Sequence, residues 1–264
     1  MIKQEMIIDF CNDNWGEDRA FAGNGLYFVI DGATPLQSSS FNGYHTAAEW
    51  MAEALSQHLA LSGSNDGDIP FLCKQFTLQT YETVLKEFND PQDLPSLTIA
   101  AIRRNDQSTC GYVLGDCSIY ALTTNGETIR LTDQRTAMFY QKTLQAKADA
   151  VKMGYDAKAA VKRQRIENKA AMNRPGGYWT VSYIGDYEKE FSVFEIPTEK
   201  IKALLLCTDG FDRMFSRGLF TPEHLLLEKV SLKEALSVLR SAEKESPGDV
   251  KTHDDASAIL LIDN

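Results

Sequence analysis

Three aspartates stand at the ends of apolar, strand-like runs, although they lie far apart in the sequence: Asp31, Asp209 and Asp254. The first two follow the runs 26–30 and 203–207 and are each followed by glycine, whereas the third precedes the run 256–262. If the last strand is antiparallel to the other two, all three carboxylates meet at one edge. Because like charges repel, that arrangement requires divalent cations, and Mg²⁺ and Mn²⁺ prefer such oxygen ligands.

Each of these positions also has a purely structural interpretation. Asp-Gly is among the commonest turn pairs, so Asp31 on its own could cap a turn. Asp116, in the sequence Gly-Asp-Cys, is more typical of a hairpin turn than of a ligand, and the pair 17–18 could be solvated. Two strand-Asp-Gly stretches and the acidic pair 254–255 together favour a shared site over coincidence.

The apolar pattern predicts the elements that must carry these residues. It predicts an opening strand at 2–11 and a strand buried on both faces that ends in Asp31. Helical spacing predicts amphipathic helices at 44–61 and 71–88. Short runs between 97 and 131 predict an antiparallel meander with tight hairpins. Helices followed by a meander fit an α+β sandwich better than a doubly wound parallel sheet.

A basic insertion interrupts this pattern at about 135–177. Between residues 142 and 174, nine Lys/Arg stand against three Asp/Glu, a net charge of +6 in an acidic chain. The segment has few strand-forming residues and is predicted to be helical. Its composition favours a solvated helical face. The alternative is a movable flap beside the site that attracts phosphate.

Composition limits the function classes that remain. The chain has 264 residues, of which 43% are hydrophobic, and a formal net charge of −10. The negative net charge argues against nucleic acid or an anionic membrane as partner. Five cysteines without clustered spacing predict reduced thiols, not a disulfide framework or a zinc site. The sequence shows no signal peptide and no membrane span. We therefore expect a single cytoplasmic domain over 1–264 and, by default, a monomer.

An ordered set of motifs resembles one family, the metal-dependent type 2C Ser/Thr protein phosphatases in their compact bacterial form. No single piece is specific, but all occur in the family's order and cover nearly the whole chain. The matching segments are 17–18, 29–32, 96–98, 113–118, 205–211 and 254–257. The resemblance implies a four-layer α-β-β-α sandwich, in which two antiparallel sheets are flanked by helices and a two-metal cleft lies at one edge.

The resemblance also implies a role for each acidic position. Asp31 would bridge two Mn²⁺ or Mg²⁺ ions, and Gly32 would offer its backbone carbonyl to one of them. Glu17 would reach a metal through water, while Asp209 and Asp254 would bind the other cation. Asp31 and Asp209 are accordingly the predicted catalytic residues.

Two further acidic positions follow from the same resemblance. Asp116 would hold a third, weaker cation, which Asp209 could share. Asp18 would not bind a cation itself but would support the residues that do.

The implied reaction is one-step hydrolysis of phosphoserine or phosphothreonine monoesters on proteins. Two cations about 4 Å apart can lower the pKa of a shared water and aim it at phosphorus, so no cysteine or serine nucleophile is needed. The partner would be a phosphoprotein, with a cognate Ser/Thr kinase as its source. Ala33 stands where many eukaryotic members have a histidine, so a side-chain general acid is absent there.

One departure concerns the group that binds the substrate phosphate. Members usually have an arginine four residues before the glutamate of the Glu-Asp pair, but this chain has Asp13 there. Another cation must replace it. The candidates are Arg19, Arg163, Arg165 and Arg174.

Two other functions fit parts of the sequence. A haloacid-dehalogenase-type enzyme needs a nucleophilic aspartate two residues before Asp31, and Val29 occupies that position, so this reaction is rejected. A catalytically weak or inactive regulatory module that keeps the fold stays open, because the missing arginine would suit it. Retention of every expected carboxylate argues against that module.

Overall fold

The computed structural model describes residues 2–12, 14–33, 40–62, 68–88, 90, 93–245 and 253–263. In chain order the strands are β1 (Ile2–Asp9), β2 (Arg19–Gly23), β3 (Leu26–Ala33), β4 (Ser96–Arg104), β5 (Ser108–Leu114), β6 (Ser118–Thr123), β7 (Thr128–Thr132), β8 (Val181–Ser182), β9 (Ser192–Pro197), β10 (Ile201–Cys207) and β11 (Ala256–Asp263). The helices are α1 (Ala47–Ser62), α2 (Ile69–Leu85), α3 (Arg135–Met153), α4 (Ala157–Ala170), α5 (Asp209–Ser216), α6 (Pro222–Leu226) and α7 (Leu232–Glu245).

These strands form two antiparallel sheets. The first has the order β1-β11-β10-β6-β7, and the second has the order β2-β3-β4-β5-β9, with β8 paired to β4. Strand β11 pairs antiparallel with β10, so it begins at the sheet edge where β10 ends. Asp254, just before β11, and Asp209, just after β10, therefore lie at the same edge.

Both faces of each sheet are covered, which explains why the central strands are apolar without alternation. In β3, Phe28 and Ile30 pack with residues of α1 and α2, whereas Tyr27 and Val29 pack against the first sheet. Helices α5, α6 and α7 cover the outer face of the first sheet. The layers are thus helix, sheet, sheet, helix, and the predicted α+β sandwich is confirmed.

The predicted meander between 97 and 131 is wrong in one respect. Strands β4 and β5 form a hairpin in the second sheet, and β6 and β7 form a hairpin in the first. Residues 115–117 cross from one sheet to the other, so Asp116 does not lie in a hairpin turn. The reason is physical: short alternating runs and turn residues have the same local pattern in a hairpin and in a crossing between sheets.

The predicted helices are confirmed with shifted bounds. Helix α1 begins three residues after its prediction at 44, and α2 begins at Ile69, with Pro70 in its first turn as proline favours. The opening strand ends at Asp9. Helices α3 and α4 occupy most of the interval 135–177, while the assignment of 1–264 to one domain stays a prediction. Within the described ranges, no helix is both long and apolar enough to cross a bilayer.

Candidate active site

A cavity of about 820 Å³ opens at the edge where the two sheets present their strand ends. Four aspartates from four separate parts of the chain line it: Asp31, Asp116, Asp209 and Asp254. Asp31 comes from the end of β3, Asp116 from the crossing between sheets, Asp209 from the first turn of α5 and Asp254 from the start of β11. Gly32 also lines the cavity. The structure therefore brings five of the six predicted ligands to one place.

Electrostatic repulsion within this group is strong. Burial, and then the charges of Asp209 and Asp18, raise the pKa of Asp31 well above its ordinary value. Burial, and then Asp209, raise the pKa of Asp116 to about 7, although Thr98 donates a hydrogen bond that opposes the change. Four neighbouring carboxylates, of which Asp31 and Asp116 have a raised pKa, are a chemical fit for divalent cations, which would favour the charged form.

The donor atoms have the chemistry that divalent cations prefer, but the side chains are not already positioned around an ion. All side-chain donors in the set are carboxylate oxygens, as Mg²⁺ and Mn²⁺ prefer. In the described part of the chain, however, no three His, Cys, Asp or Glu side chains are already gathered around a single ion-sized point. The carboxylates line a common cavity, and their mutual repulsion opposes closer approach. Their roles as metal ligands are therefore taken forward as a proposal.

Close backbone approach explains the glycines that follow two of these aspartates. A Cβ on Gly210 would stand 1.8 Å from the carbonyl oxygen of Asp255, so any side chain there would push the start of β11 away from Asp209. A Cβ on Gly32 would stand 2.6 Å from the Cβ of Glu17. The Asp-Gly pairs thus let distant segments meet at the cavity.

Glu17 lies behind the cavity wall. Its side chain is buried and accepts a hydrogen bond of 2.6 Å from the Thr46 hydroxyl, and its backbone N–H donates to Asp255 Oδ2 at 2.6 Å. It is not among the described residues that line the cavity. The implied contact of Glu17 with a metal through water stays a prediction, and Thr46 is a partner that no sequence motif had indicated.

Asp18 is buried beside the ligands without lining the cavity. Thr208 donates a hydrogen bond of 2.8 Å to its Oδ2, while Oδ1 has no hydrogen-bond partner among the described residues. Burial, and then the charge of Asp255, raise the pKa of Asp18 well above its ordinary value. Asp18 therefore ties the second sheet's edge to Thr208, the residue before Asp209.

Cations from α5 and α7 surround Asp254, and sequence reasoning missed them. Arg213 lies 3.6 Å from the Asp254 carboxylate, and Arg240 donates a hydrogen bond of 2.7 Å to the Asp254 backbone oxygen. Both arginines also pair with the fully buried Glu243. Helical spacing places Arg240 and Glu243 on one face of α7, but only the tertiary structure shows that this face meets Asp254.

Only one of the four candidate phosphate-binding arginines lines the cavity, namely Arg165. Arg19 is held by Glu53 at 2.6 Å, and Arg163 is 85% exposed and pairs with Glu167. Arg174 is exposed, and neither it nor Arg163 appears among the described lining residues. Asp13, the position that lacks the expected arginine, lies outside the described residues.

The helical hairpin α3–α4, which we call the flap, forms a second wall of the cavity. Four lysines of this wall were not predicted individually: Lys147, Lys158, Lys162 and Lys169. Helix α4 buries no residue, as the favoured interpretation of a solvated face implies, but one face of the flap also lines the cavity. The net positive charge of 142–174 was the signal, but composition alone did not tell which face would be turned to the site.

Comparisons with known proteins agree with this geometry. The sequence model of the protein phosphatase 2C family matches residues 9–240. A serine/threonine phosphatase of Mycobacterium tuberculosis is similar in structure, with a TM-score of 0.57, 17% identity and coverage of 99% of this chain and 98% of that one. No curated protein matches the chain.

Two further solved structures are similar. One is the catalytic domain of the serine/threonine protein phosphatase PstP in complex with two manganese ions, with a TM-score of 0.58, 17% identity and coverage of 99% of each chain. The other is the phosphatase Stp1 from Staphylococcus aureus, with a TM-score of 0.57, 13% identity and coverage of 100% of this chain and 96% of that one. At these identities the likeness shows the fold.

Proposed function

The chain belongs to the protein phosphatase 2C family, and we propose that it hydrolyses phosphoserine and phosphothreonine monoesters on proteins in a metal-dependent reaction. The observation that carries the proposal is the cavity that Asp31, Asp116, Asp209 and Asp254 line together. The raised pKa values of Asp31 and Asp116, and the all-oxygen chemistry of the four side chains, fit a site for Mn²⁺ or Mg²⁺. The similar PstP structure contains two manganese ions, which supports the same cofactor here.

In this proposal the aspartates divide the work of holding the cations. Asp31, the backbone oxygen of Gly32, Asp209 and Asp254 would hold the cations, with Asp31 as the ligand common to both ions. When bound, the ions supply a water of lowered pKa and neutralise the phosphate oxygens. Asp116 would hold a third, weaker ion.

Residues behind these ligands fix their orientation. Thr46 holds the carboxylate of Glu17, which would reach a metal through water, and Asp255 holds the Glu17 backbone. Arg213 and Arg240 hold Asp254 from the other side. Ligands supported in this way lose little freedom when an ion binds, which favours tight and specific coordination.

In this proposal the leaving group takes its proton from water, since the position after Gly32 has no side-chain acid. Ala33 lines the cavity next to Gly32 and has no group that can donate a proton. Among the described residues, the three buried thiols are poorly suited to nucleophilic attack, since burial raises the pKa of Cys73, Cys117 and Cys207. Hydrolysis in one step by an activated water is consistent with both observations.

The proposal extends to the compartment, the oligomeric state and the partners of the protein. All five cysteines are free thiols, which supports a reducing compartment such as the cytoplasm. We propose a monomer that acts in signalling on phosphoproteins made by a Ser/Thr kinase, without nucleic acid or membrane as partner. Nothing in the site favours a non-catalytic module, since every predicted carboxylate ligand is retained.

Turnover with defined metals tests the proposed function. Phosphoserine and phosphothreonine peptides and an aryl phosphate would be incubated with Mn²⁺, Mg²⁺ or chelator, using the wild type and Asp209→Ala. We expect turnover that needs the metal and is lost in the variant. Absence of metal-dependent turnover by the wild type on all substrates would overturn the proposal in favour of the non-catalytic module.

A further inference from the structure

Lys169, in the last turn of α4, occupies an unusual position in the cavity wall. It lines the cavity and donates a hydrogen bond of 3.0 Å to the hydroxyl of Ser96, which is 1% exposed. Within the described part of the chain, no carboxylate lies within ion-pair distance of its ammonium group. A largely buried ammonium whose hydrogen-bond partner is a hydroxyl is costly, because both groups have lost water and no described carboxylate is close enough to form an ion pair.

Ser96 places this ammonium beside the aspartates. As the first residue of β4, it is opposite Ala33 in the register of β3, two residues from Asp31. On its other side Ser96 is opposite Ser182 of β8. Lys169 therefore points to the edge where β3 delivers the proposed bridging ligand.

A second polar group faces the same region without a partner. The hydroxyl of Thr180 is buried, lines the cavity and has no hydrogen-bond partner among the described residues. Thr180 directly precedes Val181, which is opposite Leu97 next to Ser96. Buried hydroxyls normally have a partner, so this donor is available for a ligand that enters the cavity.

We propose, on the basis of the proposed function, that Lys169 with the hydroxyls of Ser96 and Thr180 binds the phosphate group of the substrate. An ammonium with neighbouring hydroxyl donors suits a phosphate dianion, since each can donate to its oxygens. Lys169 thereby takes the place of the arginine that this chain lacks. Arg165, the only candidate arginine in the cavity wall, is exposed and less suited to hold a desolvated anion.

The electrostatics of the lysine agree with an anion site. Burial lowers the pKa of Lys169 to about 8, and the attraction of Asp93 only partly opposes this effect. A bound phosphate would restore the charged form. Phosphate binding should therefore weaken above a pH of about 8, as the free lysine loses its proton.

Binding of inorganic phosphate tests the inference without relying on turnover. Affinity would be measured by calorimetry with Mn²⁺ and with chelator for the wild type, Lys169→Met, Lys169→Arg and Thr180→Val. Lys152→Met is the matched control, because it removes a lysine from the last turn of α3 that does not line the cavity. Thermal unfolding would show that each variant is folded.

We expect Lys169→Met to weaken phosphate binding by roughly 10- to 100-fold, the effect of losing one charge-assisted hydrogen bond. Lys169→Arg should retain part of the affinity, Thr180→Val should lose several-fold, and Lys152→Met should match the wild type. The weakening above a pH of about 8 should vanish in Lys169→Met, which a merely structural role would not produce.

Wild-type affinity in Lys169→Met, or an unchanged pH dependence, would overturn the inference. This outcome is distinct from failure of the proposed function. If the wild type hydrolyses phosphopeptides but Lys169→Met binds phosphate normally, only the inference fails. If phosphate binding depends on Lys169 but no metal-dependent turnover is seen, the phosphate site stands and the proposed function fails.

Discussion

The two walls of the cavity are built by opposite physical means. The aspartate wall is formed by strand ends whose neighbouring residues are completely buried between the sheets and helices. The flap wall is formed by helices that bury little: α3 buries three residues, and α4 buries none. Repulsion dominates the first wall, and exposed positive charge dominates the second. The difference suggests that the aspartates set the chemistry, while the flap sets which anions enter.

Loss of an aspartate should have the largest effect. We expect Asp209→Asn to reduce metal-dependent turnover by more than about 100-fold, because loss of a ligand should exceed the loss seen for residues behind one. Asp149→Asn on the flap removes the same charge from an exposed position and should leave turnover unchanged. Steady-state rates at saturating Mn²⁺ measure both. Equal losses of turnover in the two variants would contradict the proposal that the aspartates, and not the flap, set the chemistry.

The second-largest effect should be on the stability of the metal-free protein as the pH changes. The pKa of Asp116 is raised from 3.8 to about 7, and that of Asp31 is raised as well. Protons bind more tightly to these groups in the folded state, so the stability they contribute is complete below their ordinary pKa and is lost as the pH rises toward the folded-state value. Thermal unfolding in chelator should therefore occur at lower temperature as the pH rises from about 4 to 7.

Two additions sharpen the pH prediction. Asp116→Asn should flatten the dependence, because it removes one of the groups whose pKa is raised. Mn²⁺ should raise the unfolding temperature most at the higher pH, where the carboxylates are ionised. A variant with the wild-type slope would show that Asp116 does not take part in the repulsion.

A smaller effect is expected when a residue that supports Glu17 behind the aspartate wall is changed. Thr46→Val removes the hydroxyl that donates to Glu17 while nearly preserving shape. We expect about a tenfold loss of Mn²⁺ affinity, the lower end of the range for such supporting residues. Metal titration of turnover measures the affinity, and the maximal rate should change little. Unchanged Mn²⁺ affinity would mean that Glu17 has no part in metal binding.

The smallest effect should come from the exposed part of the flap. Arg165→Gln should raise the KM for an acidic phosphopeptide by about two- to fivefold, as exposed charges contribute weakly. Arg163→Gln, two residues away but outside the cavity, should have no effect. The difference should shrink at high salt. If both variants raise KM equally, the flap acts only through its net charge.

The sequence predicted the aspartate wall much better than the flap. Asp31 and Asp209 end strands that are buried on both faces, and such strands have a local signature in uninterrupted apolar runs. The shared edge of Asp209 and Asp254 follows from those runs once the last strand is antiparallel to β10, as it is. The α+β sandwich was predicted from two helical stretches followed by short strand-like runs. Asp116 was expected in a hairpin, because no local pattern distinguishes a turn within one sheet from a crossing between two.

The flap residues could not be assigned because their roles depend on how helices dock. Lys169 and Lys152 are both lysines in the last turn of a helix. Lys169 donates a hydrogen bond to Ser96 and lines the cavity, whereas Lys152 does not line it. Arg213 and Arg240 support Asp254 from helices that are distant in sequence. Contacts of this kind depend on tertiary packing, which periodicity does not encode.

Crystals soaked with Mn²⁺ and measured at the manganese absorption edge test the central claim most directly. We predict at least two anomalous peaks about 4 Å apart in the cavity, in contact with Asp31, Asp209 and Asp254. Peaks only at other surfaces, or a single ion that touches none of these three carboxylates, would contradict the proposed metal centre.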